Sequence, residues 1–120
     1  MPKRLETGPR LSKAVVYGDT VYLAGILARE PGLPVAKQTE QILEQIEELL
    51  HQTGSDRSSR LTATIFLKSL SAYDELNSVW DVWIPKGHAP ARACVQAPFS
   101  QDRYDVEIQA IAAKTKRVDG

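Results

Sequence analysis

The sequence predicts one domain of strands and helices in the order β-β-α-β-α-β-β, with two helices laid on one face of a sheet. Its 120 residues fold to roughly 6,500 Å² of surface from about 19,000 Å² unfolded, enough for one core and not for two. Segments rich in β-branched and aromatic residues alternate with two longer segments whose apolar residues recur at helical spacing. No internal repeat, low-complexity tract or linker divides residues 1–120, so the whole is read as a single domain.

Residues 1–11 carry mixed charge, Pro2 and Pro9, and no periodicity, and read as a loose or extended lead-in. Val15-Val16-Tyr17 and Thr20-Val21-Tyr22-Leu23 flank Gly18-Asp19, a loop suited to a primed turn because glycine accepts positive φ. This hairpin ends near Gly25. The run EPGLP at 30–34 marks a loop. From Ala36 to Gln52 a helix follows, with Ile42, Leu43, Ile46, Leu49 and Leu50 on its apolar stripe, His51 in its last turn and Gly54 as its stop. The polar run 54–60 leads into a strand at 61–67. Ser71 and Asp74 resemble a capping box. Tyr73, Leu76, Val79, Trp80 and Trp83 form a second helical stripe, ended by Pro85 and Gly87. Residues 91–97 and 104–113 are the last two strands, joined by a turn over Pro98–Arg103.

Two helices cover only one face of such a sheet. Strands 20–25, 61–67 and 104–113 nevertheless carry apolar residues on both faces, Val21 and Leu23 against Tyr22 and Ala24, Ile108 and Ala110 against Ile111. A bare apolar face is a patch that monomers avoid, so the second face is expected to lie against further copies of the chain. A cleft between subunits is then a natural ligand site.

Fifteen basic side chains balance fifteen acidic ones, which argues against a chain whose task is gripping phosphate backbones. Hydrophobic residues at 42% and charged ones at 25% fit an ordinary globular protein. The one cysteine cannot form an internal disulfide. No apolar stretch approaches the ~18–20 residues of a membrane span, and MPKRLETGPR lacks a signal-peptide core. These features point to a cytoplasmic protein.

The segment HAPARACVQA, at 88–97, is the richest in chemistry. In a strand, Arg92, Cys94 and Gln96 share one face. An arginine among small residues wants a planar anion such as a carboxylate; the alternative partner is Glu107 or an aspartate of another subunit. Glu107 lies in a largely apolar strand, where a half-desolvated carboxylate can hold or pass a proton. The alternative, which the pattern favours, is an outward-facing residue beside Asp105 and Gln109. Cys94 has His88 nearby in sequence, but no spacing places it as a base, and the thiol reads as a small buried hydrophobe. His51, His88 and Cys94 offer no metal-ligand spacing, so no metal is expected. Trp80 and Trp83 read as core. No phosphate-binding loop or nucleophile elbow is present, and no cofactor is expected.

PARACV at 90–95, followed by VEIQAIA at 106–112, resembles the signature of the RidA/YjgF reactive-intermediate deaminase family. The likeness extends to the hairpin closing on Gly25, the helix QTEQILEQIEELL, the strand TATIFLKSL and the helix SAYDELNSVWDVW. It implies a chorismate-mutase-like α+β fold with a mixed sheet, assembled as a homotrimer with clefts between subunits. The implied activity is hydrolysis of enamines and imines, such as 2-iminopropanoate and 2-iminobutanoate, to 2-keto acids and ammonia. By this resemblance Arg92 would clamp the substrate carboxylate and the backbone around Cys94 would contact the imine nitrogen. Glu107 would position and activate water, Gly25 would offer backbone contacts, and Asn77 would match an asparagine with a structural or catalytic role. Leu11-Ser12-Lys13 stand where a tyrosine is usual, Ala24-Gly25-Ile26 stand for the family's SGQ, and the loop LAREPGLPVAK is short. WDVW and HAP are similar to a divergent branch. The implied partners are a small carboxylate-bearing imine or keto acid and further copies of the chain, with neither nucleic acid nor membrane. The alternative function is non-catalytic or regulatory binding of a small carboxylate in the same cleft. Glu107 leans towards catalysis, since a plain carboxylate binder gains little from a second negative charge. An endoribonuclease is disfavoured by the balanced charge.

Overall fold

Strand β1 spans Lys3–Thr7, β2 Ser12–Tyr17, β3 Thr20–Leu23, β4 Arg60–Leu67, β5 Ala91–Gln96 and β6 Val106–Ala113, with helices α1 at Val35–Gln52 and α2 at Tyr73–Trp83. The structure is a computed structural model and describes residues 1–115. The strands form one mixed sheet in the order β1-β2-β3-β6-β4-β5. All neighbours are antiparallel except β4 and β5, which are parallel because α2 carries the chain across between them. Gly18, at φ 62°, makes the hairpin turn between the paired Tyr17 and Thr20.

Both helices cover the same face. Val16, Val21, Leu23, Ile65, Leu67 and Ile108 point into the core from the sheet, and Ile42, Leu43, Ile46 and Leu50 of α1 with Leu76 and Trp80 of α2 close over them. The other face is open, with Tyr22 and Val95 44% and 42% exposed. The expected two-sided apolar pattern is therefore present, and so is the one-sided covering. Among the described residues no helix is long and apolar enough to cross a membrane.

The loose lead-in at 1–11 is corrected: Lys3–Thr7 is a strand, paired antiparallel with β2, and the element order gains a strand at its start. Its alternation is hidden because β1 is the sheet edge, exposed on nearly every side chain but Leu5. Glu6, at φ 50°, also interrupts its pairing between Leu5 and Thr7. The Ser71/Asp74 capping box is also corrected. Ser69 caps a short 3₁₀ turn at Leu70–Ala72 by accepting from the Ser71 N–H, and α2 begins from Ala72 without a side-chain cap. Asp74 contributes only its charge at the helix start, where the dipole favours an anion.

Gln38 is fully buried and fixes the approach to β6. Its amide donates to the Leu33 carbonyl at 2.6 Å and to Asp105 Oδ2 at 2.9 Å, while its Oε1 accepts from the Asp105 N–H at 2.9 Å. Replacing Gln38 by leucine leaves the Asp105 N–H unpaired and one of its carboxylate oxygens without this donor, a cost of about 1–3 kcal/mol. Urea unfolding of Gln38→Leu should show a lower midpoint with an unchanged slope; an unchanged midpoint would mean that this network adds no stability.

Candidate functional site

Arg92 pairs with Ala63 across β4 and Cys94 pairs with Ile65, so both side chains emerge on the helix-covered face. Since β5 is an edge strand, α2 overhangs this position and supplies Arg92 with its partners. Nη1 donates to Asn77 Oδ1 at 2.8 Å and Nη2 to the Tyr73 hydroxyl at 3.0 Å. Tyr73 and Asn77, four residues apart, share one helix face. The guanidinium carbon lies 5.2 Å from the centre of the Trp80 ring and 5.6 Å from that of Tyr73, within cation–π range. Among the described residues no carboxylate forms an ion pair with Arg92. Two of its five N–H groups are committed to neutral acceptors and three stay available.

Trp80 is shared with a second arginine. Arg60, 5% exposed, has its guanidinium carbon 5.7 Å from the Trp80 ring and 4.3 Å from that of Trp83. It donates from Nε and Nη2 to the Arg57 carbonyl. Burial, aided by the neighbouring Arg57 charge, pulls its pKa down to about 10, against the opposing pull of Glu47 and Asp56. Arg57 itself pairs with Glu47 and stacks on Trp83 at 5.1 Å. The tryptophans, read as core, thus also hold arginines.

Glu107 pairs with Phe66 of β4 and points to the open face. Reciprocal backbone bonds between Ile26 and Ile108, at 2.9 and 3.1 Å, hold the segment after β3 beside it. A Cβ on Gly25 would overlap Glu107 Oε2 and come within 3.0 Å of its Cδ, so a side chain here would push this carboxylate from its position. Gly25 and Glu107, with Phe66, Pro98, Phe99 and Gln109, line a cleft of about 330 Å³.

The structure therefore joins Gly25 with Glu107, and Arg92 with Asn77 and Cys94, in two separate clusters. Ala63 and Phe66, the partners of Arg92 and Glu107, are three residues apart on β4 and face opposite ways. Within one chain the two charged candidates stand on opposite faces with β4 between their strands. Two contributors escape the sequence reading. Tyr73 falls on the apolar stripe, where its spacing of four from Asn77 is the available signal. Arg60 ends a polar run, where its place directly before a β-branched strand is the only hint. Among the described residues no cluster of three or more His, Cys, Asp or Glu could hold a metal.

Comparison with known proteins places this geometry among relatives. Residues 1–114 match the family described as endoribonuclease L-PSP. The chain is 37% identical over 110 residues to the RutC family protein YoaB of Escherichia coli, covering 92% of this chain and 96% of that one. It is 28% identical over 109 residues to the 2-iminobutanoate/2-iminopropanoate deaminase of Rattus norvegicus, covering 86% and 79%. A crystal structure of a YjgF family member from Neisseria meningitidis superposes with a TM-score of 0.94 at 36% identity, covering 98% of each chain.

Burial pushes the Cys94 thiol up, only partly offset by the Arg92 charge. The folded protein should hold it as a neutral thiol at pH 7. Alkylation by iodoacetamide should run slower than for free cysteine and rise only above the pH where free cysteine rises. A rate at pH 7 matching or exceeding that of free cysteine would contradict this.

Proposed function

Since the chain belongs to the endoribonuclease L-PSP family, also called RidA/YjgF, we propose that it hydrolyses small 2-imino acids to 2-keto acids and ammonia. The observation that carries the reading is Arg92, a cation held in place by neutral acceptors and, among the described residues, left without a carboxylate partner. That arrangement suits a carboxylate ligand, which takes two parallel N–H bonds from a guanidinium. The deaminase from Rattus norvegicus lends the reaction class.

In the proposed reaction, Arg92 fixes the carboxylate of a protonated 2-imino acid and so presents its C2 carbon. Water adds to C2 while Glu107 takes one of its protons; the C=N pair moves onto nitrogen. Glu107 then returns that proton to the amine; as the C–N bond breaks, an oxygen lone pair closes the C=O bond and the hydroxyl proton passes through Glu107 to the departing ammonia, releasing ammonium and the keto acid. Orientation and one proton-shuttling carboxylate suffice because the iminium carbon is already electrophilic. Arg92 and Glu107 lie on opposite faces of one sheet, so we place the complete site between copies, Arg92 from one and Gly25 with Glu107 from its neighbour. A homotrimer is the proposed assembly, its open sheet faces turned inward.

One observation favours a second reading, binding without turnover: the Arg92 cluster is complete within a single chain, whereas Glu107 is not beside it.

A coupled assay separates the two. An amino-acid oxidase acting on alanine generates 2-iminopropanoate, and its decay is followed with and without the protein. Decay should be faster with wild type, with the catalysed rate about 10–100-fold lower in Arg92→Ala, the worth of a charged hydrogen-bonded contact. Glu107→Gln should lower kcat by about 10²–10⁴. Wild-type decay equal to the uncatalysed rate would refute the deaminase reading for this substrate.

A further inference from the structure

We infer that the Tyr73 hydroxyl is a ligand-binding group, donating its proton to a carboxylate oxygen of the small 2-keto or 2-imino acid held at Arg92. The inference rests on the carboxylate reading of Arg92 and adds to it a residue that the sequence placed on the second helical stripe.

The direction of the hydrogen bonds leads to it. A guanidinium has only donors, so the contact between Arg92 Nη2 and Tyr73 at 3.0 Å makes the phenol oxygen the acceptor. The phenol proton must then point away from Arg92. Among the described residues, the bond from Arg92 is the one hydrogen bond the Tyr73 hydroxyl makes, and at 40% exposure its ring borders open space. Asn77 follows the same logic. Its Oδ1 accepts from Nη1 at 2.8 Å, which turns its amide N–H groups outward. The groups around Arg92 have thus committed acceptors to the guanidinium and present donors to a ligand: three N–H groups of Arg92, the Asn77 amide and the Tyr73 hydroxyl. A carboxylate, with about four lone-pair sites on two oxygens, can accept from several of these together.

Packing alone would not need the hydroxyl. Phenylalanine would keep the ring that stands 5.6 Å from the Arg92 guanidinium carbon, so Tyr73→Phe removes the donor and retains the stack.

Calorimetric titration with 2-oxobutanoate, on wild type, Tyr73→Phe and Arg92→Ala, tests the inference, with circular dichroism confirming that each variant is folded. Tyr73→Phe should raise Kd about 10-fold, the loss of one hydrogen bond to a charged group, and Arg92→Ala should abolish saturable binding. In the imine assay Tyr73→Phe should raise KM with kcat nearly unchanged. Wild-type affinity and KM in Tyr73→Phe, with binding still lost in Arg92→Ala, would overturn the role of Tyr73 and leave the carboxylate site standing. No binding to wild type would bring down the Arg92 reading and this inference together.

Discussion

Helices of 18 and 11 residues must cover a sheet of six strands, and they cover one face of it. The consequence reaches every part of the molecule. Alternate residues of β3, β4 and β6 are drawn into a core with α1 and α2, while their neighbours stay on a face that no element among the described residues protects. Tyr22 and Val95 are left there as exposed apolar side chains, and Glu107 is left there as the acidic wall of a cleft. At the far edge, α2 overhangs β5 and shelters Arg92 without burying it. The separation of Arg92 from Glu107 follows from this geometry, since one belongs to the covered face and the other to the open one.

Three arginines near α2 meet three electrostatic solutions. Arg57 is neutralised by Glu47 and stacks on Trp83. Arg60 is buried against both indoles, its desolvation set against ring faces and a backbone carbonyl. Arg92 takes neutral oxygens from Asn77 and Tyr73, and among the described residues no carboxylate pairs with its charge. The first two solutions are structural. The third fixes the guanidinium in place and leaves three of its N–H groups open, which is the preorganisation that the proposed carboxylate binding requires.

Much of this was legible in the sequence, because periodicity reports burial. The stripe of Ile42, Ile46 and Leu50 gives α1, alternation gives β3 and β6, and the small residues around Arg92 mark it as unusual. What stayed hidden depends on pairing or on context. Strand β1 shows no pattern because an edge strand with nearly every side chain in water has none to show. The opposition of Arg92 and Glu107 needs the register of both strands against β4, since a shift of one residue in either would put them on the same face. Tyr73 looks apolar from its helix position, and only the arrival of Arg92 from 19 residues further along the chain gives its hydroxyl a partner.

The central claim is that the working site draws Arg92 from one copy and Glu107 from another. It is tested most directly by co-expressing Arg92→Ala and Glu107→Gln chains, each at least about 10-fold impaired alone, and assaying imine decay in the purified mixed assembly. For random mixing in a ring of three, about one quarter of the sites unite an intact arginine with an intact glutamate. The account predicts recovery of about that fraction of wild-type activity. A mixture no more active than the variants alone would contradict it and require Arg92 and Glu107 to act from the same chain or not together at all.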